Sequence, residues 1–166
     1  MTREDPRMVR FTQIPTPIGD LLATDLGDGL ASFTFPNQRG AAPIGADWHR
    51  DPGPFREVAA AVDAYFAGEP VEFDLPLDLR GTDLQRQVWE ALLDCPYGRT
   101  TTYGEIAQQV GRPTAVRAVG GAIGRNPVAI IVPCHRVIST NGNLTGYAGG
   151  VERKRHLLAL EGVLAI

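Results

Sequence analysis

Five consecutive apolar residues, Val128–Val132 (VAIIV), run straight into Pro133-Cys134-His135-Arg136. An apolar stretch this short, bounded by prolines, predicts a strand buried on both faces. The proline after it ends ladder pairing and frees the chain to turn. Any fold must therefore wrap a core around this segment and still deliver a cysteine and a histidine to its edge. With 166 residues the chain can do so unaided, since a chain of this size hides roughly two thirds of its unfolded surface.

The 43% hydrophobic and 21% charged residues are ordinary globular values, which excludes wholesale disorder. No apolar run approaches the roughly 18 residues of a membrane-spanning helix. The opening MTREDPRMVRFTQIP lacks the apolar core of a secretory leader. Cys95 and Cys134 are too few for a disulfide framework and suit a reducing compartment, so a cytoplasmic protein is expected. With three histidines and no Cys-x-x-Cys, the chain is expected to hold no metal.

Two kinds of sequence meet near residue 80. Before it, Val9–Ile14, Leu21–Asp25 and Leu30–Phe35 predict short strands separated by Pro17-Ile18-Gly19 and Gly27-Asp28-Gly29 turns. Asn37–Pro52 reads as a loop of little pattern. Pro54–Ala67 predicts a helix, with Phe55, Val58, Ala59, Val62 and Phe66 on one face and Gly68 as its stop. Val71–Leu77 offers a further strand. Residues 1–79 are thus expected to form a small α/β module of antiparallel strands and one helix. Residues 80–166 are expected to form a mainly helical domain. There, Asp83 can cap a helix to Asp94, Tyr103–Val110 is a short helix, and Gly111-Arg112-Pro113 is a turn. Thr114–Ile123 follows with Thr114 as its cap, giving a helix-turn-helix candidate. A glycine-rich loop, Asn141 to Gly150, leads into a closing helix at Val151–Leu160.

Charge divides the same way. Residues 1–95 carry 8 Lys+Arg against 16 Asp+Glu, while residues 96–166 carry 8 against 3. Seven of the eight later cations are arginine, whose planar fork suits phosphates and base edges. An asymmetry of this kind hints at a nucleic-acid face, although an ordinary solvated surface gives the same count. A cysteine at Cys134 is most often a small buried hydrophobe. His135 beside it and the positive charge of Arg136 favour a thiolate, and Glu161 offers a carboxylate that could orient the histidine. Spacing leaves open whether Glu161 reaches it. Asn126-Pro127 reads equally as a plain turn, Tyr103 as packing and Arg117 as a solvated cation.

Residues 80–162 resemble the O6-alkylguanine-DNA alkyltransferases, the direct-reversal DNA repair proteins. The resemblance rests on PYGRTTTYGEIA (96–107), RAVGGAIGRNP (117–127), IVPCHRVI (131–138), GYAGG (146–150) and LLALEG (157–162). TPIGDLL (16–22) and AYFAGE (64–69) extend it more weakly into the first half, where it implies a ribonuclease H-like module. It implies that Cys134 accepts an alkyl group from O6 of guanine in one displacement, with O4 of thymine as a second candidate substrate. His135, oriented by Glu161, would withdraw the thiol proton through a water, and Asn126 would brace the turn around the cysteine. Tyr103 would donate toward the departing base and crowd the DNA backbone so that the nucleotide rotates out.

Arg117 would fill the vacated place in the stack, from a recognition helix lying in the minor groove. Thr114, Ala115 and Gly120 of that helix, with Arg136, would contact DNA. Pro133, Tyr147 and Ala148 would line the alkyl pocket. The resemblance implies no cofactor, no membrane, and double-stranded DNA carrying O6-alkylguanine as the partner of a monomer. Position 148 is alanine where some relatives have serine, which leaves the range of alkyl groups open. Two other classes stay in view: a lesion-binding protein, which the retained Cys134 disfavours, and a Cys–His–Glu hydrolase, which would leave the helix-turn-helix unexplained.

Overall fold

The computed structural model describes residues 8–144 and 146–164; the first seven residues of the opening segment lie outside them. The first strands pair in chain order as an antiparallel meander of β1 (Arg10–Ile14), β2 (Leu21–Asp25) and β3 (Leu30–Thr34). Gly19, at φ 127, makes the first turn, where Thr16 Oγ1 donates to its carbonyl at 2.6 Å. Phe11, Ile14, Leu21, Ala23, Leu30 and Phe33 point inward. A fourth strand, β4 (His49–Arg50), adds in parallel to the free edge of β1, so the order is β3-β2-β1-β4. It lies inside the segment read as patternless, because two exposed polar residues carry no alternation to detect.

A 3-10 turn at Gly53–Phe55 leads into α1 (Arg56–Phe66), which buries Val58, Val62 and Tyr65. The strand expected over Val71–Leu77 does not form. Leu30 N donates to Pro76 O and Asp78 N donates to Leu30 O, giving a single bridge between Leu30 and Leu77. Pro76 has no N–H to extend a ladder there.

The second half opens on α2 (Asp83–Leu93), whose buried face is Val88, Trp89, Ala91 and Leu92. Thr82, not Asp83, caps it: Thr82 Oγ1 accepts from Gln85 N and Gln85 Oε1 accepts from Thr82 N. Such a reciprocal box satisfies two amides that a lone aspartate could not. The same device, Thr102 with Glu105, starts α3 (Tyr103–Gln109) directly after the short strand β5 (Thr101–Thr102). Gly111, at φ 75, turns the chain into α4 (Val116–Gly124), and Trp89 Nε1 ties α2 to α4 by donating to Ala122 O at 2.9 Å. Thr114 is not the cap. Ala115 holds that place with no side-chain hydrogen bond, and Thr114 sits one residue further out.

The apolar run is buried as expected, but it is not a strand. Val128 makes one parallel bridge to Phe33, after which Ile130 takes φ 69 and Val132 N folds back to donate to Val128 O. A β-branched residue at positive φ is strained, and it persists only where the surroundings over-determine it. A 3-10 turn at Cys134–Arg136 follows, then β6 (Val137–Ile138), parallel to β5. The closing helix α5 (Val151–Leu160) has the expected bounds. Phe33, Phe35 and Tyr65 from the first half share one contiguous core with Trp89, Ile130 and Leu157 from the second. Each large side chain so buried contributes about 1.5–3 kcal/mol of transfer free energy. No helix among the described residues is long and apolar enough to cross a membrane.

Candidate active site

The strained turn exists because one side chain holds it. Asn126 Oδ1 accepts from Val128 N at 2.9 Å, while its Nδ2 donates to Val132 O at 2.7 Å and to Cys134 Sγ at 3.1 Å. Both ends of the amide are used, and because Oδ1 must accept from Val128 N, it is the Nδ2 end that faces the sulfur. Cys134 is 7% exposed. Burial pushes its thiol above the usual cysteine range, and the Asn126 donor and the Lys154 charge pull the other way. The net direction is upward, so this cysteine needs a base to become a nucleophile.

His135 and Glu161 are fully buried side chains joined by a 2.6 Å contact between Nε2 and Oε2. Burial alone would push the Glu161 carboxyl up, but hydrogen bonds from His135 and Arg136 outweigh it and hold the group at about 2. An ionised carboxylate only accepts, which puts the imidazole proton on Nε2. Burial also lowers the His135 pKa, leaving a neutral ring whose Nδ1 carries a lone pair. Arg136 closes the carboxylate from the other side, with Nε to Oε1 at 2.8 Å and Nη2 to Oε2 at 3.1 Å. Its Nη1 donates to Cys95 O at 2.7 Å.

The 146–150 loop supplies the last wall. Tyr147 stands near enough to Cys134 to act on its pKa, and its ring meets Phe35 edge-on at 6.3 Å between centroids. Gly149 must be glycine, since a Cβ there would lie 2.7 Å from Phe35 Cδ2 and 2.8 Å from Tyr147 Cε2. Lys154, the chain's one lysine, is buried beneath and donates to Val137 O at 2.5 Å. Among the described residues, the only buried side-chain nitrogens or oxygens without a hydrogen-bond partner are His135 Nδ1 and Tyr147 Oη. Such orphans are rare and call for an explanation in ligand or reaction.

Cys134, His135, Glu161 and Asn126 are therefore brought together, with Pro133 buried beside them and Tyr147 and Ala148 in the adjoining loop. Tyr103 begins α3 and packs its ring against Gly120, where a Cβ would come within 3.7 Å of Tyr103 Cδ1. Arg117 is exposed on α4, and Thr114 is exposed ahead of it. Arg136 is a correction: it is 6% exposed and turned onto Glu161, so it has no surface to offer DNA. Arg153 is likewise drawn in, donating to Ile18 O and Gly149 O over the Phe35 ring. The basic surface of the second half thus reduces to Arg99, Arg112, Arg117, Arg125 and Arg155. Two residues escaped the sequence reading. Lys154 looked like one more surface cation, and Tyr65 carried only the signal of an aromatic on a buried helix face.

A buried thiol under a side-chain amide, backed by a histidine and a fixed carboxylate and set beside a helix-turn-helix, defines a cysteine-nucleophile protein on a nucleic-acid-reading scaffold. The family model described as the DNA-binding domain of 6-O-methylguanine DNA methyltransferase matches residues 83–163, and that of its ribonuclease-like domain matches residues 9–79. The methylated-DNA--protein-cysteine methyltransferase of Mycobacterium tuberculosis H37Rv is 53% identical over 154 residues, 93% of each chain. That of Methanosarcina barkeri is 49% identical over 148 residues, covering 89% of this chain and 94% of its own. Among solved structures, M. tuberculosis O6-methylguanine methyltransferase superposes with TM-score 0.85 at 52% identity, over 96% of each chain. The same organism's protein in complex with DNA gives 0.84 at 52% identity, over 93% of this chain and 92% of that one. The chain belongs to the 6-O-methylguanine DNA methyltransferase family.

Proposed function

We propose that this protein repairs DNA by moving an alkyl group from O6 of guanine to Cys134, once per chain. The observation that carries this reading is a buried thiol that accepts from Asn126, followed in the chain by a histidine whose Nε2 is fixed on Glu161 and whose Nδ1 has no protein partner. Neutral His135 takes the thiol proton at Nδ1, through a bridging water, and Glu161 stabilises the imidazolium that forms. Sγ attacks the alkyl carbon, an S–C bond forms, the C–O6 bond breaks and its electron pair stays with guanine. Tyr103 supplies a proton or hydrogen bond to the departing base, and the proton lost by the thiol balances the one guanine gains. The thioether is not hydrolysed by water, so the reaction is stoichiometric.

O6 is out of reach inside a duplex, so the base must be turned out at a cost of a few kcal/mol. The small outer residues of α4, Ala118, Gly120 and Gly121, let that helix approach the minor groove. Thr114 and Ala115 contact the backbone at its entry, and Arg117 occupies the vacated stack. The exposed arginines of the second half supply phosphate contacts that offset the flipping cost. Tyr147, Ala148 and Pro133 line the alkyl pocket. No cofactor enters any step. A monomer suffices, divided near residue 80 into a ribonuclease H-like module and a domain carrying DNA binding and transfer. Two free cysteines fit a cytoplasmic setting.

Arg117→Ala tests the flipping role. Transfer from duplex O6-methylguanine is expected to slow by about 10-fold or more, the worth of one lost charged contact. Transfer from free O6-benzylguanine, which needs no flipping, should stay within twofold. Equal losses on both substrates would remove Arg117 from that role.

A further inference from the structure

We propose that Tyr65 is a positioning residue for alkyl transfer, acting through its hydrogen bond to Glu161 to fix the carboxylate that orients His135. The proposal rests on the relay described above and adds a member from the other half of the chain. Tyr65 lies on α1, 96 residues before Glu161, and its hydroxyl donates to Glu161 Oε2 at 2.6 Å. The residue is completely buried.

The carboxylate's acceptor capacity shows what this bond does. Oε1 accepts from Arg136 Nε at 2.8 Å and from Gly98 N at 3.4 Å. Oε2 accepts from His135 Nε2 at 2.6 Å, Tyr65 Oη at 2.6 Å and Arg136 Nη2 at 3.1 Å. A carboxylate oxygen offers two lone-pair directions. With the phenol at 2.6 Å and the longer Arg136 Nη2 contact at 3.1 Å already crowding those directions, the imidazole N–H has little freedom left on Oε2, and the direction of the ring is set. The phenol cannot swing, because its ring is gripped edge-on by Phe66 at 5.2 Å and Tyr97 at 6.1 Å, and by Phe73 at 5.7 Å. Burial, then the charge of Glu161, pushes its pKa far upward, so it stays a donor. An oriented group locked by packing is how a reactive constellation is kept within a fraction of an ångström. The first half of the chain thereby enters the chemistry, beyond its share of the core.

The test is Tyr65→Phe, which keeps the ring and removes the hydroxyl, assayed on free O6-benzylguanine and on duplex O6-methylguanine across pH. The groups around the His135–Glu161 pair are Arg136 from the Cys134 turn, Tyr97 and Cys95 from the α2–β5 connection, Lys154 from α5, and Tyr65 itself. A carboxylate with one donor fewer attracts the His135 proton more strongly, so the acid limb of the rate profile moves to higher pH. The gain in basicity speeds transfer by about threefold at most. Loss of orientation costs on the order of 10- to 100-fold, so orientation wins. The expected result is a fall of about 10-fold on both substrates with DNA affinity unchanged. Replacing Tyr65 by 3-fluorotyrosine, a stronger donor with the same ring, should move the acid limb the opposite way.

Combining Tyr65→Phe with Glu161→Gln should add nothing to the rate loss of Glu161→Gln alone, since the phenol acts through that carboxylate. If Glu161→Gln is slow while Tyr65→Phe keeps both the rate and the profile of the parent, the positioning role is wrong and the relay stands. If Glu161→Gln transfers at the parent rate, the relay itself is wrong. A rate loss in Tyr65→Phe with an unmoved acid limb would mean a merely structural role and would also overturn the proposal.

Discussion

Cys134→Ser is expected to abolish alkyl transfer, a loss on the order of 10⁴-fold or more, while affinity for duplex DNA stays within about twofold. The two halves of this expectation have different causes. Sulfur reacts as its anion, and even here burial holds the thiol above its ordinary range, so a base must complete the ionisation. A serine hydroxyl is a far weaker acid than a thiol, and His135, itself lowered by burial, cannot make up the difference. Binding is spared because Cys134 is 7% exposed and its Sγ is turned inward onto Asn126 Nδ2. A hydroxyl accepts that hydrogen bond equally well. The check pairs a gel-shift titration with a transfer assay on the same preparation. Methyl transfer by the serine protein would move the nucleophile elsewhere.

Glu161→Gln carries the second large effect, on stability as well as on rate. Removing one member of a buried ion pair leaves the other uncompensated, at roughly 3–5 kcal/mol. Here the stranded partner is Arg136, whose guanidinium meets both carboxylate oxygens. The amide would also present an N–H₂ to two existing donors. Acid dependence supplies an independent signature. The carboxyl is held at about 2 against an ordinary 4.5, so its contribution is fully present above pH 4.5 and is lost as pH falls toward 2. That difference corresponds to roughly 3 kcal/mol between neutral and strongly acid solution. Urea unfolding at pH 7 and pH 3 should show the parent losing stability on acidification by a larger amount than the glutamine variant. Parallel losses in the two proteins would mean that Glu161 is not the linked group.

The parts legible in sequence were those governed by local pattern. The glycines on either side mark α5, and the turns around Leu21–Asp25 mark β2, because near neighbours alone determine them. Where a longer-range hydrogen bond decides, local pattern misleads. The run Val128–Val132 has the composition of a buried strand, yet the Asn126 side chain captures Val128 N and Val132 O and bends it into a turn. Arg136 looked like a surface cation since its neighbours say nothing of Glu161, 25 residues on. Asp83 reads locally as a cap, whereas the reach of Gln85 back to Thr82 is a matter of geometry. Tyr65 was hidden for the same reason: its burial follows helical spacing, but its partner is 96 residues away. Cys134, His135, Asn126 and Glu161 were found through motifs in a fixed order, and the coordinates supply the distances that motifs cannot.

Transfer itself is tested most directly by intact mass. The protein is mixed with duplex DNA carrying O6-methylguanine, weighed, digested and mapped. The expected result is a gain of one methylene unit, saturating at one per chain and confined to the peptide holding Cys134. An unchanged mass on protein that still retains the damaged duplex would contradict alkyl transfer and make this chain a lesion binder.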